Sequence, residues 1–186
     1  RNISLMAPAP AVRNAYELLG DLGGRAAFGL HVTLTSEWET LRWRPLTKPS
    51  NSSNLAGSDG TMFRTVDELT AAAPDTDAVL EEVSAQYELL RNLGFELSYL
   101  DEHMFCGEVP GLVDGLAAFA KEHGLVYDRE LHRSSALTAL PGWNGPAEHP
   151  GTELADHLSQ TAPGTYMLVG HPATKDEAMQ HIRGAG

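Results

Sequence analysis

The sequence predicts an α/β fold whose strands run parallel, in a sheet or a barrel. Three observations carry this. Strand-like segments alternate with segments of helical periodicity along the chain, and helices between strands are the crossovers, about a dozen residues long, that parallel pairing requires. No internal repeat and no heptad pattern interrupts the alternation. The 186 residues, 42% hydrophobic and 20% charged, fall in the range of an ordinary globular domain, so one domain over 1–186 is expected.

Each element has a local reason. "NISLM" (Asn2–Met6) reads as a short strand stopped by "APAP", because proline has no N–H to give a sheet ladder. Val12–Leu22 reads as a helix with Ala15, Leu18 and Leu22 on one side and Gly23-Gly24 after it. "AFGLHVTLT" (Ala27–Thr35) is the next strand. Residues 36–65 are polar and rich in Pro, Ser, Asn and Gly, too long for an ordinary connection, and are the expected lid or binding loop. Asp77–Leu93 is the best-patterned helix: Val79, Val83, Tyr87 and Leu90 share a face, and Gly94 suits the C-terminal cap. "FELSYLDEH" (Phe95–His103) is a strand, and Pro110–Glu122 is a helix opened by proline and followed by Gly124. "LVYDREL" (Leu125–Leu131) reads as a further strand, Thr152 as the cap of a helix carrying Leu154 and Leu158, and "TYMLVGHP" (Thr165–Pro172) as the last strand.

Charge narrows the partners. With 13 basic and 25 acidic residues the formal charge is -12, which repels a phosphate backbone, so nucleic acid is not expected as a partner. The single cysteine, Cys106, excludes an intramolecular disulfide framework and reads as a small buried residue. No apolar run approaches the ~18 residues of a spanning helix, and a cytoplasmic location is the expectation. The chain opens at Arg1 straight into an apolar stretch. It reads as an internal start, with a strand, a targeting segment or part of an active site expected upstream.

Three histidines mark the chemistry. His31 in "GLHVTL", His103 in "LDEHMF" and His171 in "LVGHP" fall at or near strand C-terminal ends, the edge where parallel α/β folds collect functional groups. Strand alternation puts Leu97, Tyr99, Asp101 and His103 on one face, and Glu96, Ser98 and Glu102 on the other. Two neutral imidazoles and a carboxylate suit a divalent metal ion, although this spacing alone is not specific. The remaining histidines, His123, His132, His149, His157 and His181, lie in helices or polar loops and read as solvated.

Together, "NISLMAPAP", "GLHVTLT", "RWRPLTKP" with "DGTMF", "EEVSAQYELLRNLGFELSYLDEHM" and "YMLVGHP" resemble, in order and approximate spacing, the YdjC-like carbohydrate deacetylases, the family that includes chitooligosaccharide deacetylase. The resemblance runs through most of the chain. It implies a (β/α) barrel-like fold, lacking its first strand here, and a hydrolase that uses one divalent ion, zinc or magnesium, to remove acetyl from N-acetylated sugars. The family's metal histidines fall on His31 and His103, and its histidine-proline motif on His171-Pro172. Two departures stand out. No acidic pair precedes "NISLM", although the family draws its third ligand and its base from one, and Phe105 stands where members often carry a histidine. The phenyl ring is a candidate for shaping the sugar pocket.

On this resemblance His171 is the expected general acid and His31 and His103 the metal ligands. Asp101 either orients an imidazole, binds substrate or is a strand-end carboxylate. Arg129 is a candidate substrate contact or a surface ion pair, and Trp43 stacks on a sugar ring or anchors the loop. The expected partner is an N-acetylated oligosaccharide or other amino-sugar substrate, with a homodimer as the oligomeric expectation. The competing readings are a silent carbohydrate-binding relative and a deacetylase of another conjugate, such as a glycolipid head group.

Overall fold

The computed structural model describes residues 2–19, 25–48, 54–145 and 149–171. Four short strands, β1 (Asn2–Leu5), β2 (Ala27–Val32), β3 (Leu97–Glu102) and β4 (Val126–Tyr127), pair in parallel in the order 1-2-3-4. Their connections carry α1 (Val12–Leu19), then α2 (Val66–Ala71) and α3 (Thr76–Leu93), then α4 (Leu112–Glu122). The parallel α/β class is as expected. Closure is not seen: among the described residues the row ends at β1 on one side and β4 on the other.

The described residues form two compact units, one through Asp128 and one from Arg129 onward. Helix α5 (Asp128–Arg133) begins at the boundary, and the second unit holds β5 (Thr138–Ala139), α6 (Pro150–Gln160) and β6 (Tyr166–Met167), with β5 and β6 pairing in parallel. Two expected strands are therefore corrected. Leu125–Leu131 is strand only over β4, because Asp128–Arg133 is a run of charged residues and helix formers that turns helical. Of the expected strand Thr165–Pro172, the described part through His171 is strand only over β6, which joins β5 rather than the four-stranded sheet, and Pro172 lies outside the described residues. Leu168 and Val169, 46% and 66% exposed, find no core that would extend it.

Ends differ from expectation where a side chain or cap intervenes. Strand β2 stops at Val32 instead of Thr35, since the Thr33 backbone gives its N–H to Gln86 Oε1 at 3.0 Å and accepts from Gln86 Nε2 at 2.7 Å. Strand β3 starts at Leu97 because Phe95 belongs to the cap of α3: Gly94 is left-handed (φ 105°) and the Phe95 N–H bonds Leu90 O. Helix α6 opens at Pro150 after His149, so Thr152 lies inside it rather than capping it. The expected end of the first helix, at Leu22, lies outside the described residues.

One core serves the first unit. Leu5, Leu30, Val32 and Leu100 of the sheet pack with Val79, Val83 and Leu90 of α3 and Leu112, Leu116 and Ala120 of α4. Among the described residues no helix is long and apolar enough to cross a membrane. Helix α3 also buries a polar stripe that the apolar pattern did not announce, Glu82 and Gln86, both 0% exposed. The Glu82 carboxylate accepts from Leu46 N–H (3.0 Å), Thr47 N–H and Oγ–H (both 2.8 Å) and Gln86 Nε2 (2.9 Å). These four donors fill a carboxylate's acceptor capacity, and so a buried charge becomes the fastening of the loop after β2.

Glu82→Ala should cost about 2–4 kcal/mol, since it strands several donors at once, while Glu82→Gln, which keeps some of them, should cost less. Urea unfolding at unchanged m-value checks this; a loss under about 0.5 kcal/mol for Glu82→Ala would show the fastening to be dispensable.

Candidate active site

The site is built on the ends of β2 and β3. A register shift between Phe28 and Gly29 puts Gly29 opposite Tyr99 and His31 opposite Asp101. The Nδ1 of His31 lies 2.8 Å from Asp101 Oδ1, both side chains about four-fifths buried. Asp101 accepts a second hydrogen bond, from Ser4 Oγ–H at 2.6 Å. A carboxylate accepting from imidazole Nδ1 selects the tautomer whose Nε2 carries the lone pair.

His103 comes next, in a 3₁₀ segment (His103–Glu108) rather than in the strand as expected. The chain turns sharply through Met104 and Phe105, both left-handed at φ 53° and 58°, a conformation that costs non-glycine residues about 1–2 kcal/mol each. Glu102 holds the turn: its carboxylate accepts the Gly107 N–H at 2.8 Å and the Tyr127 hydroxyl. Gly107 is required for that approach, as a Cβ there would lie 2.5 Å from Glu102 Oε1. The same turn leaves Phe105 70% exposed.

Within the site the imidazoles of His31 and His103 meet nearly edge to face, ring centroids 5.3 Å apart. His103 is 8% exposed, and its Nε2 lies 2.9 Å from Glu37 Oε2, a residue that sequence reasoning did not single out because it sits in the long loop. Burial pushes the Glu37 carboxyl up, but the hydrogen bond and charge of His103 outweigh it and hold the group below its ordinary value of 4.5. Trp43, 3% exposed, donates its indole N–H to Thr35 O at 2.9 Å and packs as an anchor of the loop. Trp38 is only half-buried; its ring lies 5.0 Å from that of Trp43 and 6.4 Å from His103.

Two imidazoles, each with one nitrogen engaged by a carboxylate, are a donor pair suited to a divalent ion through their other nitrogens. Alone they would make only part of a ligand set. Among the described residues no group of three His, Cys, Asp or Glu side chains is arranged to hold a metal ion. His171 belongs to the second unit, exposed, four residues beyond β6, and Arg129 lies in α5 instead of at a strand end. His171 thus does not end a strand of the sheet that carries His31 and His103. His123, expected to be solvated, is half-buried with its ring 4.4 Å from Tyr87 and 4.3 Å from Phe119.

A family model described as YdjC-like protein matches residues 1–185. Among solved structures, a protein of Enterococcus faecalis V583 described as a proposed cellobiose-phosphate cleavage protein is similar at a TM-score of 0.74 and 18% identity, over 99% of this chain and 74% of that one. At that identity the likeness is one of fold. No curated protein matches.

The Glu37–His103 pair makes a pH prediction. A carboxyl whose folded pKa is depressed stabilises above its unfolded value, and the contribution is lost as pH falls through the folded one. Melting curves of wild type and Glu37→Gln should therefore differ most above the ordinary carboxyl value of 4.5 and draw together as the pH falls below it. A gap that stays constant across that window would mean the charge of Glu37 is not what the pair contributes.

Proposed function

Since the chain belongs to the YdjC-like family, whose members resemble carbohydrate deacetylases, we propose that it is a metal-dependent hydrolase releasing acetate from N-acetylated sugars of the chitooligosaccharide type. The observation that carries the proposal is the pair of carboxylate-partnered imidazoles, His31 with Asp101 and His103 with Glu37, facing each other across two adjacent strand ends. The sequential strand order supports reading the sheet as a segment of a barrel, with the site on its functional edge.

His31 through Nε2 and His103 through Nδ1 would hold one divalent ion, zinc or magnesium, together with a donor beyond these two. When bound, such an ion supplies polarisation of the amide carbonyl and hydroxide near neutral pH. The chain's own residues do the rest. Asp101 and Glu37 each engage one nitrogen of an imidazole, so that in the neutral ring the other nitrogen is the one that offers its lone pair. Trp38, half-buried beside His103 and backed by Trp43, offers an apolar ring to the C–H face of a sugar. His171 is the proposed general acid, because imidazole protonates the leaving amine in the right pH range, and Arg129 the proposed contact for substrate oxygens.

The test is acetate release from N-acetylated chitooligosaccharides by the full chain, metal-stripped and reconstituted. Release should return with metal and vanish in His103→Ala, while Asp101→Asn should lose about 10- to 100-fold. Metal binding without acetate would discard this substrate in favour of another amino-sugar conjugate. No metal binding at all would favour the silent carbohydrate-binding relative.

A further inference from the structure

A hydrogen-bonded chain crosses three strands beneath His31, and its order can be derived from donor counts. The Asp101 carboxylate only accepts, so the 2.6 Å bond from Ser4 uses the single hydroxyl proton of Ser4. The 2.9 Å contact between Ser4 Oγ and the Tyr99 hydroxyl must then be donated by Tyr99. Asp101 Oδ1 accepts from His31 Nδ1 at 2.8 Å. The direction is fixed throughout: Tyr99 gives to Ser4, Ser4 to Asp101, and His31 to the other oxygen of the same carboxylate.

The backbone is arranged for this reach. Ser4 on β1 and Tyr99 on β3 are each opposite Gly29 on β2, so two strand spacings, roughly 9.5 Å, separate them. The tyrosine spans that distance by lying across Gly29, where a Cβ would be 2.2 Å from the ring. Any other residue at position 29 would lift the ring off the strand. Burial also pushes the Tyr99 phenol up to about 12, so it holds its proton at neutral pH.

We propose that Ser4 and Tyr99 are positioning residues for His31, acting through Asp101 to fix the imidazole as the tautomer with Nδ1 protonated and Nε2 basic, with Gly29 as the passage for the tyrosine. Ser4 and His31 donate to the two oxygens of one carboxylate, so the effect is one of orientation: Tyr99 fixes the Ser4 hydroxyl, and Ser4 holds the carboxylate, and with it the imidazole, in one position. The use made of Nε2 rests on the deacetylase reading; the relay does not.

The test labels histidine with nitrogen-15 in the full, metal-free chain and records long-range proton–nitrogen correlations, assigning His31 by the loss of its signals in His31→Gln. Wild type should show the Nε2 lone-pair tautomer with a deshielded Nδ1 proton, and Ser4→Thr, which retains the hydroxyl, should reproduce it. Ser4→Ala should lose the deshielded proton and mix the tautomers at unchanged melting temperature, and Tyr99→Phe, which keeps the ring over Gly29, should shift that proton upfield. If Ser4→Ala fails to fold, Tyr99→Phe decides. Wild-type spectra in Tyr99→Phe, and in Ser4→Ala where it folds, overturn the relay. Absence of acetate release by wild type overturns the function and leaves these spectra as they are.

Discussion

One extra residue in β3 sets the site. Phe28 pairs with Leu97 while Gly29 pairs with Tyr99, so Ser98 is left without a partner residue and its hydroxyl bonds Phe28 O at 3.2 Å instead. Without that shift His31 would stand opposite Leu100 and Asp101 opposite Val32. The period of two along a strand makes such a change of register a change of face. The shift is therefore what turns an imidazole and a carboxylate toward each other, and the same step places Tyr99 opposite Gly29. Bulges are uncommon between parallel strands and often stand where a side chain must be re-aimed, which is the effect here.

The segment after β2 is held by polar groups rather than by strand pairing. Gln86 takes both backbone groups of Thr33, ending the strand just past His31, and Glu82 takes the backbone of Leu46 and Thr47 further along. Between these fastenings lie Glu37, Trp38 and Trp43, the loop's contribution to the site. Buried polar groups of this kind cost more when half-satisfied than they return when complete. A segment so fastened has a defined path without regular secondary structure, and its residues can serve as fixed parts of a site.

The sequence made His31 and Asp101 legible because strand ends and alternation are local signals, while His103 was legible as a histidine near a strand end but its turn was not, and the parallel α/β class was legible because βα spacing is local too. Glu37 was not legible: nothing in a polar loop says which acid returns to a histidine 66 residues away. Ser4, Gly29 and the Ser98 shift were hidden for the same reason, since register is a property of two strands together. Tail strands were over-read because an apolar run such as Tyr166–Val169 looks alike whether or not a core receives it, and here Val169 stays exposed. His123 was misread because its aromatic partner Tyr87 comes from another helix.

Glu102 is the reason β3 can end on two acids and a histidine. It sits between Asp101 and His103, and its carboxylate fastens Gly107 and Tyr127, closing the turn through Met104 and Phe105. Two successive left-handed non-glycine residues persist only where the surroundings over-determine them. Here the clasp on one side and the burial of Cys106 on the other, its thiol toward Val32 O at 3.4 Å, supply that determination. The three residues thus divide the work by face. Asp101 fixes His31, Glu102 fixes the turn, and His103, first residue of that turn, is delivered to within 5.3 Å of His31. A strand that simply continued would have carried the imidazole along the strand and away from its partner.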